Sequence, residues 1–117
     1  MGLDLSLIPI EHDDGRFGFG HSLLRVDAGR LWYDTLKDVN DEPVPSDFAT
    51  FRGRGEDGEP RYGNTQETPY GEPLRCMRVS EIIARMDPRP SQSPRDNAAL
   101  VYLAMLPPDS RVALYWH

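Results

Sequence analysis

The chain has 117 residues, 38% of them hydrophobic and 27% charged, which suits one domain with a single core and leaves no room for two. Its formal charge of −6 opposes the phosphate backbone of DNA or RNA, so direct nucleic-acid binding is not expected. A single cysteine, Cys76, excludes an intrachain disulfide, and no apolar run approaches the roughly 20 residues that span a bilayer, so no membrane partner is expected.

Leu3, Leu5 and Leu7 alternate with Asp4 and Ser6. This period of two predicts a half-buried strand, closed by Pro9. The Met1-Gly2 start with Ser6 matches the outline of a myristoylation signal, but no polybasic patch follows, and one acyl chain anchors weakly. A basic n-region is also absent, which argues against a signal peptide and for the cytosol. Glu11-His12-Asp13-Asp14-Gly15 reads as a turn. Phe17-Gly18-Phe19-Gly20 alternates aromatic with glycine, and His21 to Val26 continues as a strand, so the first two strands are expected to pair antiparallel. Asp27-Ala28-Gly29 turns the chain, and Leu31 to Leu36 reads as a short helix, although Trp32 and Tyr33 also suit a strand.

Residues 40–73 are rich in Pro and Gly and hold no periodic segment longer than a few residues. They read as one long irregular loop, either functional or disordered. Phe48, Phe51, Tyr62 and Tyr70 argue for partial packing, because disordered chains are poor in aromatics. Leu74 to Val79 resumes a strand pattern. Ser80 is expected to cap a helix that turns Ile82, Ile83 and Met86 inward and stops at Asp87-Pro88. Ser93-Pro94-Arg95-Asp96 is the best helix start in the chain, with Ser93 at N-cap, Pro94 at N1 and Asp96 at N3. The run from Ala98 to Leu106 is apolar nearly all round, which predicts a central helix. After Pro107-Pro108, Arg111 to Trp116 forms a final strand with Val112, Leu114 and Trp116 on one face.

Few stretches of the sequence carry a pattern that chemistry requires. Gly53-Arg54-Gly55-Glu56-Asp57-Gly58 matches G-x-G-x-x-G literally, yet Glu59-Pro60 follows where a dinucleotide site needs a helix N-terminus, and two acidic residues would face the pyrophosphate. Glu11, His12, Asp13 and Asp14 form the one dense cluster of metal-type ligands. Adjacent side chains diverge, so a solvated turn is the preferred reading, with a metal-dependent hydrolase kept as a lesser alternative. Gly20-His21-Ser22 lacks a nucleophile elbow, and Cys76 lies inside a predicted strand as a small buried hydrophobe. No catalytic residue, metal or cofactor is assigned. The richest segment is 52–70: Arg52, Arg54, Arg61, Tyr62, Asn64, Thr65 and Tyr70 combine planar donors, rigid aromatics and short polar side chains, the chemistry of adaptable binding loops and of anion capture.

Charge is uneven: residues 1–60 carry 13 Asp and Glu against 6 Arg and Lys, whereas residues 61–117 carry 6 against 7. The acidic half suits a basic partner. Three stretches, Met1-Gly2-Leu3-Asp4-Leu5-Ser6-Leu7, Arg61-Tyr62-Gly63-Asn64-Thr65 through Pro69-Tyr70-Gly71-Glu72-Pro73-Leu74, and Leu106-Pro107-Pro108-Asp109-Ser110-Arg111-Val112-Ala113-Leu114-Tyr115-Trp116-His117, resemble small proteins encoded by bacteriophages and prophages. That family has no assigned activity, so the resemblance carries over no catalytic residue. It implies a bacterial cytoplasm and a protein that acts by binding. The expectation is therefore an α+β domain with a small, mainly antiparallel sheet, two C-terminal helices packed on one face and a long Pro/Gly-rich loop. Its expected function is non-enzymatic protein binding that interferes with a host system. The alternative is sequestration of a nucleotide or other small anionic ligand by the Arg52–Tyr70 loop.

Overall fold

The computed structural model describes residues 4–12, 18–20, 24–37, 41–88 and 93–117. In chain order the elements are β1 (Leu5–Pro9), β2 (Glu11–His12), β3 (Gly18–Gly20), β4 (Leu24–Arg25), α1 (Gly29–Leu36), β5 (Glu42–Pro43), β6 (Ala49–Arg54), β7 (Pro60–Asn64), β8 (Arg75–Arg78), α2 (Val79–Met86), α3 (Pro94–Ala104) and β9 (Arg111–Trp116). Among the described residues the strands form two sheets, ordered β4-β1-β9-β8-β5 and β2-β3-β6-β7. Every pairing in the first is antiparallel; in the second, β3 and β6 run parallel. The α+β class and the mainly antiparallel pairing agree with expectation. None of the described helices is long and apolar enough to cross a membrane.

The two ends of the sequence make the centre of the larger sheet. β1 lies beside β9 with Leu7 opposite Leu114 and Ser6 opposite Tyr115, and the Asp4 and His117 backbones extend the ladder by exchanging N–H···O bonds of 3.1 and 2.9 Å. Alternation then sorts the side chains. Leu5, Leu7, Met77, Val112 and Leu114 turn to one face and pack with Trp32, Leu36, Ile82, Met86, Ala99 and Leu103 from the helices. Ile8, Cys76 and Ala113 turn to the other face and pack with Ile10, Val44, Phe48 and Leu74. Burying each large aliphatic side chain contributes about 1.5–3 kcal/mol, so the 44–48 segment that covers the second face is part of the core.

Several expectations need correction. β1 is buried on both faces along its whole length, because helices cover one side and the 44–48 segment the other; a half-buried strand was expected. Among the described residues three helices contribute to the core: the two C-terminal ones, and α1, which was expected as a short helix but not as part of the cover over the sheet. Residues 40–73 are no single irregular loop: β5, β6 and β7 lie within them. Their pairing escaped the period test because most of the ribbon faces water on both sides, leaving no apolar alternation to read. α2 begins at Val79 with Arg78 at its N-cap, so Ser80 sits inside the helix; Val79 is drawn in by its burial at 1% exposure. Glu11 and His12, expected in a turn, pair with Phe19 and Gly18, while Asp13 to Phe17 and residues 21–23 lie outside the described residues.

α3 starts as its sequence requires: the Asp96 N–H donates to Ser93 Oγ, and Pro94 occupies the first turn. Asp96 has a second task. Its side chain is fully buried and accepts from the backbone N–H groups of Asp27 and Ala28, the latter at 3.0 Å, and from Trp32 Nε1 at 3.2 Å. α1 has no side-chain cap of its own, so the carboxylate of α3 supplies the anion that a helix N-terminus favours. At the far edge, β5 is fastened by Asp41–Arg75 at 2.8 Å and by Glu42 between Arg78 and Arg111, each at 3.7 Å.

Candidate functional site

The seven candidate residues fall on the β6–β7 ribbon and the turn after it. The strands pair from Ala49 opposite Asn64 to Phe51 opposite Tyr62, then shift register before Gly53 meets Arg61. The extra residue is Arg52, and Gly53 takes φ 117°, a left-handed value that favours glycine. The turn closes through Gly58 N–H to Gly55 O and Gly55 N–H to Glu59 O, both 2.9 Å. Asp57 Oδ1 accepts from the Glu59 N–H at 3.0 Å, and both carboxylate oxygens accept from Arg61 Nη2 at 3.2 Å. Arg54 Nη1 donates to Gly58 O at 2.8 Å. The G-x-G-x-x-G stretch is thus a hairpin end followed by a strand, as its rejection as a phosphate cradle requires.

At the base of the ribbon, Thr65 is buried and its hydroxyl is fully used. It donates to Gly63 O at 3.0 Å, so the 2.8 Å contact with Thr50 Oγ1 must run from Thr50 to Thr65, and Arg52 Nη2 donates to the same oxygen at 3.1 Å. Arg52 lies flat across Gly63: a Cβ added at position 63 would sit 2.8 Å from its Nε. Asn64 Nδ2 and Gln66 Nε2 donate to the carbonyls of Ser46 and Pro45 at 3.0 and 2.9 Å, tying the ribbon to the segment that covers the core.

The candidates therefore separate into groups. Arg52, Asn64 and Thr65 share an open depression of about 360 Å³ with Gln66, Thr68 and Tyr115. Arg54 and Arg61 brace the hairpin turn, and Tyr62 stands 44% exposed on β7. Tyr70 is carried elsewhere by the 68–72 turn, in which the Thr68 N–H donates to Glu72 O at 2.8 Å and Gly71 adopts φ 79°. It lines a groove of about 320 Å³ with Tyr33, Lys37, Glu72, Arg75 and Trp116. There Tyr33 meets Trp116 edge to face with centroids 5.5 Å apart, and Arg75 is held by Asp41. Arg52 is thus committed to Thr65 while the other two guanidiniums serve the turn.

One pair was missed in the sequence. Ser6 Oγ and His117 Nε2 lie 2.9 Å apart, 111 residues apart in the chain, a separation that no motif spacing reveals. A hydroxyl beside an imidazole is the first half of a nucleophile–base pair. Here Ser6 is only 6% exposed, so an acyl group cannot reach it, and the contact ties the ends of β1 and β9. Cys76 is likewise buried. Desolvation pushes its thiol above the ordinary value, Arg111 and Arg75 pull against that, and Glu42 and Asp41 add to it; a thiol so placed is a poor nucleophile. Of the acidic cluster, Glu11 and His12 belong to β2, and Asp13 and Asp14 lie outside the described residues. No group of metal-binding side chains occurs among the described residues.

A scan against protein-family models, a search of curated proteins and a search of solved structures each returned no significant match.

Proposed function

We propose that this chain is a non-enzymatic protein-binding module and that its partner docks on the β6–β7 ribbon. The observation that carries this reading is the ribbon's solvation. From Arg52 to Gly63 no residue is buried, yet the segment is an ordered hairpin, with glycines where the backbone needs them and Arg61 and Asp57 locking its turn. Two strands alone are marginal in water, and a ribbon without a buried residue from Arg52 to Gly63 exposes its side chains to a second protein. Among the described residues β7 is also the last strand of its sheet, and an open edge can accept an extended segment through main-chain hydrogen bonds. Arg54, Arg61 and Tyr62 are residue types enriched in binding hot spots.

The placement of the arginines favours a protein over a nucleotide: they are spread along a ribbon, and a compact anion needs them at one point. The resemblance to phage and prophage proteins suggests a bacterial host protein as the partner. Affinity capture from bacterial lysate, followed by binding measurements on the recovered partner, tests the reading. Tyr62→Ala is expected to weaken binding by at least about tenfold while the protein stays folded by circular dichroism. Failure to recover a stoichiometric partner, or equal binding by the variant, would count against it.

A further inference from the structure

The groove of about 320 Å³ that Tyr70 lines is walled by three aromatic rings from separate parts of the fold. Tyr33 comes from α1, Trp116 from the end of β9 and Tyr70 from the 68–72 turn. Tyr33 and Trp116 stand at 83° with centroids 5.5 Å apart, so they make a corner and not a stack. The buried Leu36 and Leu114 floor it. Tyr33 is 37% exposed and Tyr70 45%, so the core does not use much of either ring. The charges at the groove follow one sense. Arg75 is neutralised by Asp41, which accepts from its Nε and Nη2 at 3.0 and 2.8 Å. The Glu72 carboxylate makes no ion pair or hydrogen bond among the described residues. Leu36 and Lys37 stand at the carbonyl end of α1, where the helix dipole is negative, and the faces of aromatic rings are negative as well. Lys37 is the opposing charge, and its exposed four-carbon stem lets the ammonium swing clear.

We propose that this groove is an aromatic cage for a trimethylammonium group, carried by a free solute or by a methylated lysine side chain. Such a group is a cation with an apolar surface and no N–H donor. It is recognised by ring faces and a nearby negative charge, without a hydrogen-bond acceptor. Tyr33, Tyr70 and Trp116 supply the rings and Glu72 the charge. A primary ammonium or a guanidinium would instead seek an acceptor, and the Asp41 carboxylate is already taken by Arg75. An anion would meet the three ring faces and an arginine that is already paired. The volume lies at the lower end of the roughly 300–1,000 Å³ of small-ligand sites, which suits a compact head group. No residue lining the groove belongs to β6 or β7, so the cage is separate from the ribbon and either reading can fail without the other.

Titration calorimetry of the full chain with choline tests this, with tryptophan emission as a second readout. Trp32 is fully buried, so a change on binding reports Trp116. A dissociation constant on the order of 1 mM is expected for so small a probe. The neutral analogue of choline, with tert-butyl in place of trimethylammonium, should bind at least about tenfold more weakly. Tyr33→Leu, which keeps an apolar side chain but removes the ring, should weaken choline binding about fivefold. Glu72→Gln should weaken it about twofold, and Lys37→Ala should tighten it, with each variant folded by circular dichroism. A peptide carrying trimethyl-lysine separates the two sources. Binding at least about tenfold tighter than choline assigns the cage to a methylated side chain, and equal binding assigns it to a free solute. Absence of saturable binding by both probes, equal binding of the neutral analogue, or weaker binding by Lys37→Ala would each overturn the proposal.

Discussion

Asp96 joins two helices through a single buried carboxylate. It is fully buried, and its two oxygens take the Asp27 and Ala28 amides and the Trp32 indole. Ser93 Oγ, which caps α3, donates at 2.6 Å to the Asp27 carboxylate, so the starts of two helices are knotted together at one point. Replacing Asp96 by alanine would leave three donors without this acceptor, the Trp32 indole among them fully buried. Asp96→Ala is expected to lower the unfolding free energy by about 3 kcal/mol, as measured by denaturant titration. A loss below about 1 kcal/mol would mean that water replaces the carboxylate. From the sequence, Asp96 was legible as a first-turn acid of α3. Its bond to α1 was not, because the partners lie 64 to 69 residues away and side-chain pairing across that distance leaves no periodic trace.

At the scale of elements, the fold divides into strands that are covered and a ribbon that is not. β1 and β9 are shielded on both faces, whereas the outer half of β6 and β7 rests on its own turn chemistry and on the Arg52–Thr65 contact. Local opening follows the number of buried apolar neighbours. Amides of residues 53–62 should therefore exchange with deuterium at least about a hundredfold faster than those of β1 and β9, and partner binding should slow those of β7 most. Uniform protection across both sheets would contradict this account. The same division explains what could be read in advance. β1, β8, β9, α2 and α3 carry apolar periods because each packs on the core. β6 and β7 carry none, since no residue from Arg52 to Gly63 is buried, and β5 is too short to show a period. α3 misled in the opposite sense: its apolar side chains all round were read as burial, while Val101 and Met105 face water.

For the molecule as a whole, Cys76 offers a probe of opening. It sits on the inner strand β8 beneath Val44 and Phe48, so labelling it requires the 44–48 segment to lift or the sheet to unfold. Iodoacetamide should leave the native thiol unreacted at pH 7 and modify it fully in denaturant. The raised thiol value also sets a sign for pH dependence. An unfolded cysteine loses its proton near about pH 8.5, whereas the folded thiol keeps it to higher pH. The stability tied to the protonated thiol is present in full below about pH 8.5 and is lost as pH rises through the folded value. Unfolding free energy should fall over that interval in the wild type and fall less in Cys76→Ala. An identical slope in both would show that the thiol is not responsible. The buried position of Cys76 was legible from its strand context. The cover over it was not, because that cover comes from the segment that looked irregular.

The pairing of β1 with β9 has a consequence for how the protein is made. Residues 5–9 pair with residues 112–116, so closing the sheet means closing the long loop between them, and contacts of such long range slow folding. During synthesis β1 and the short strand β4, which pairs with it, are made long before Val112 and Leu114, so the other edge of β1 has no partner until β9 follows. During that interval β1 keeps one open, apolar edge, the kind of surface that chaperones hold. Assembly is then expected to be late and abrupt, with the last strand inserting between β1 and β8 to complete the sheet in one step.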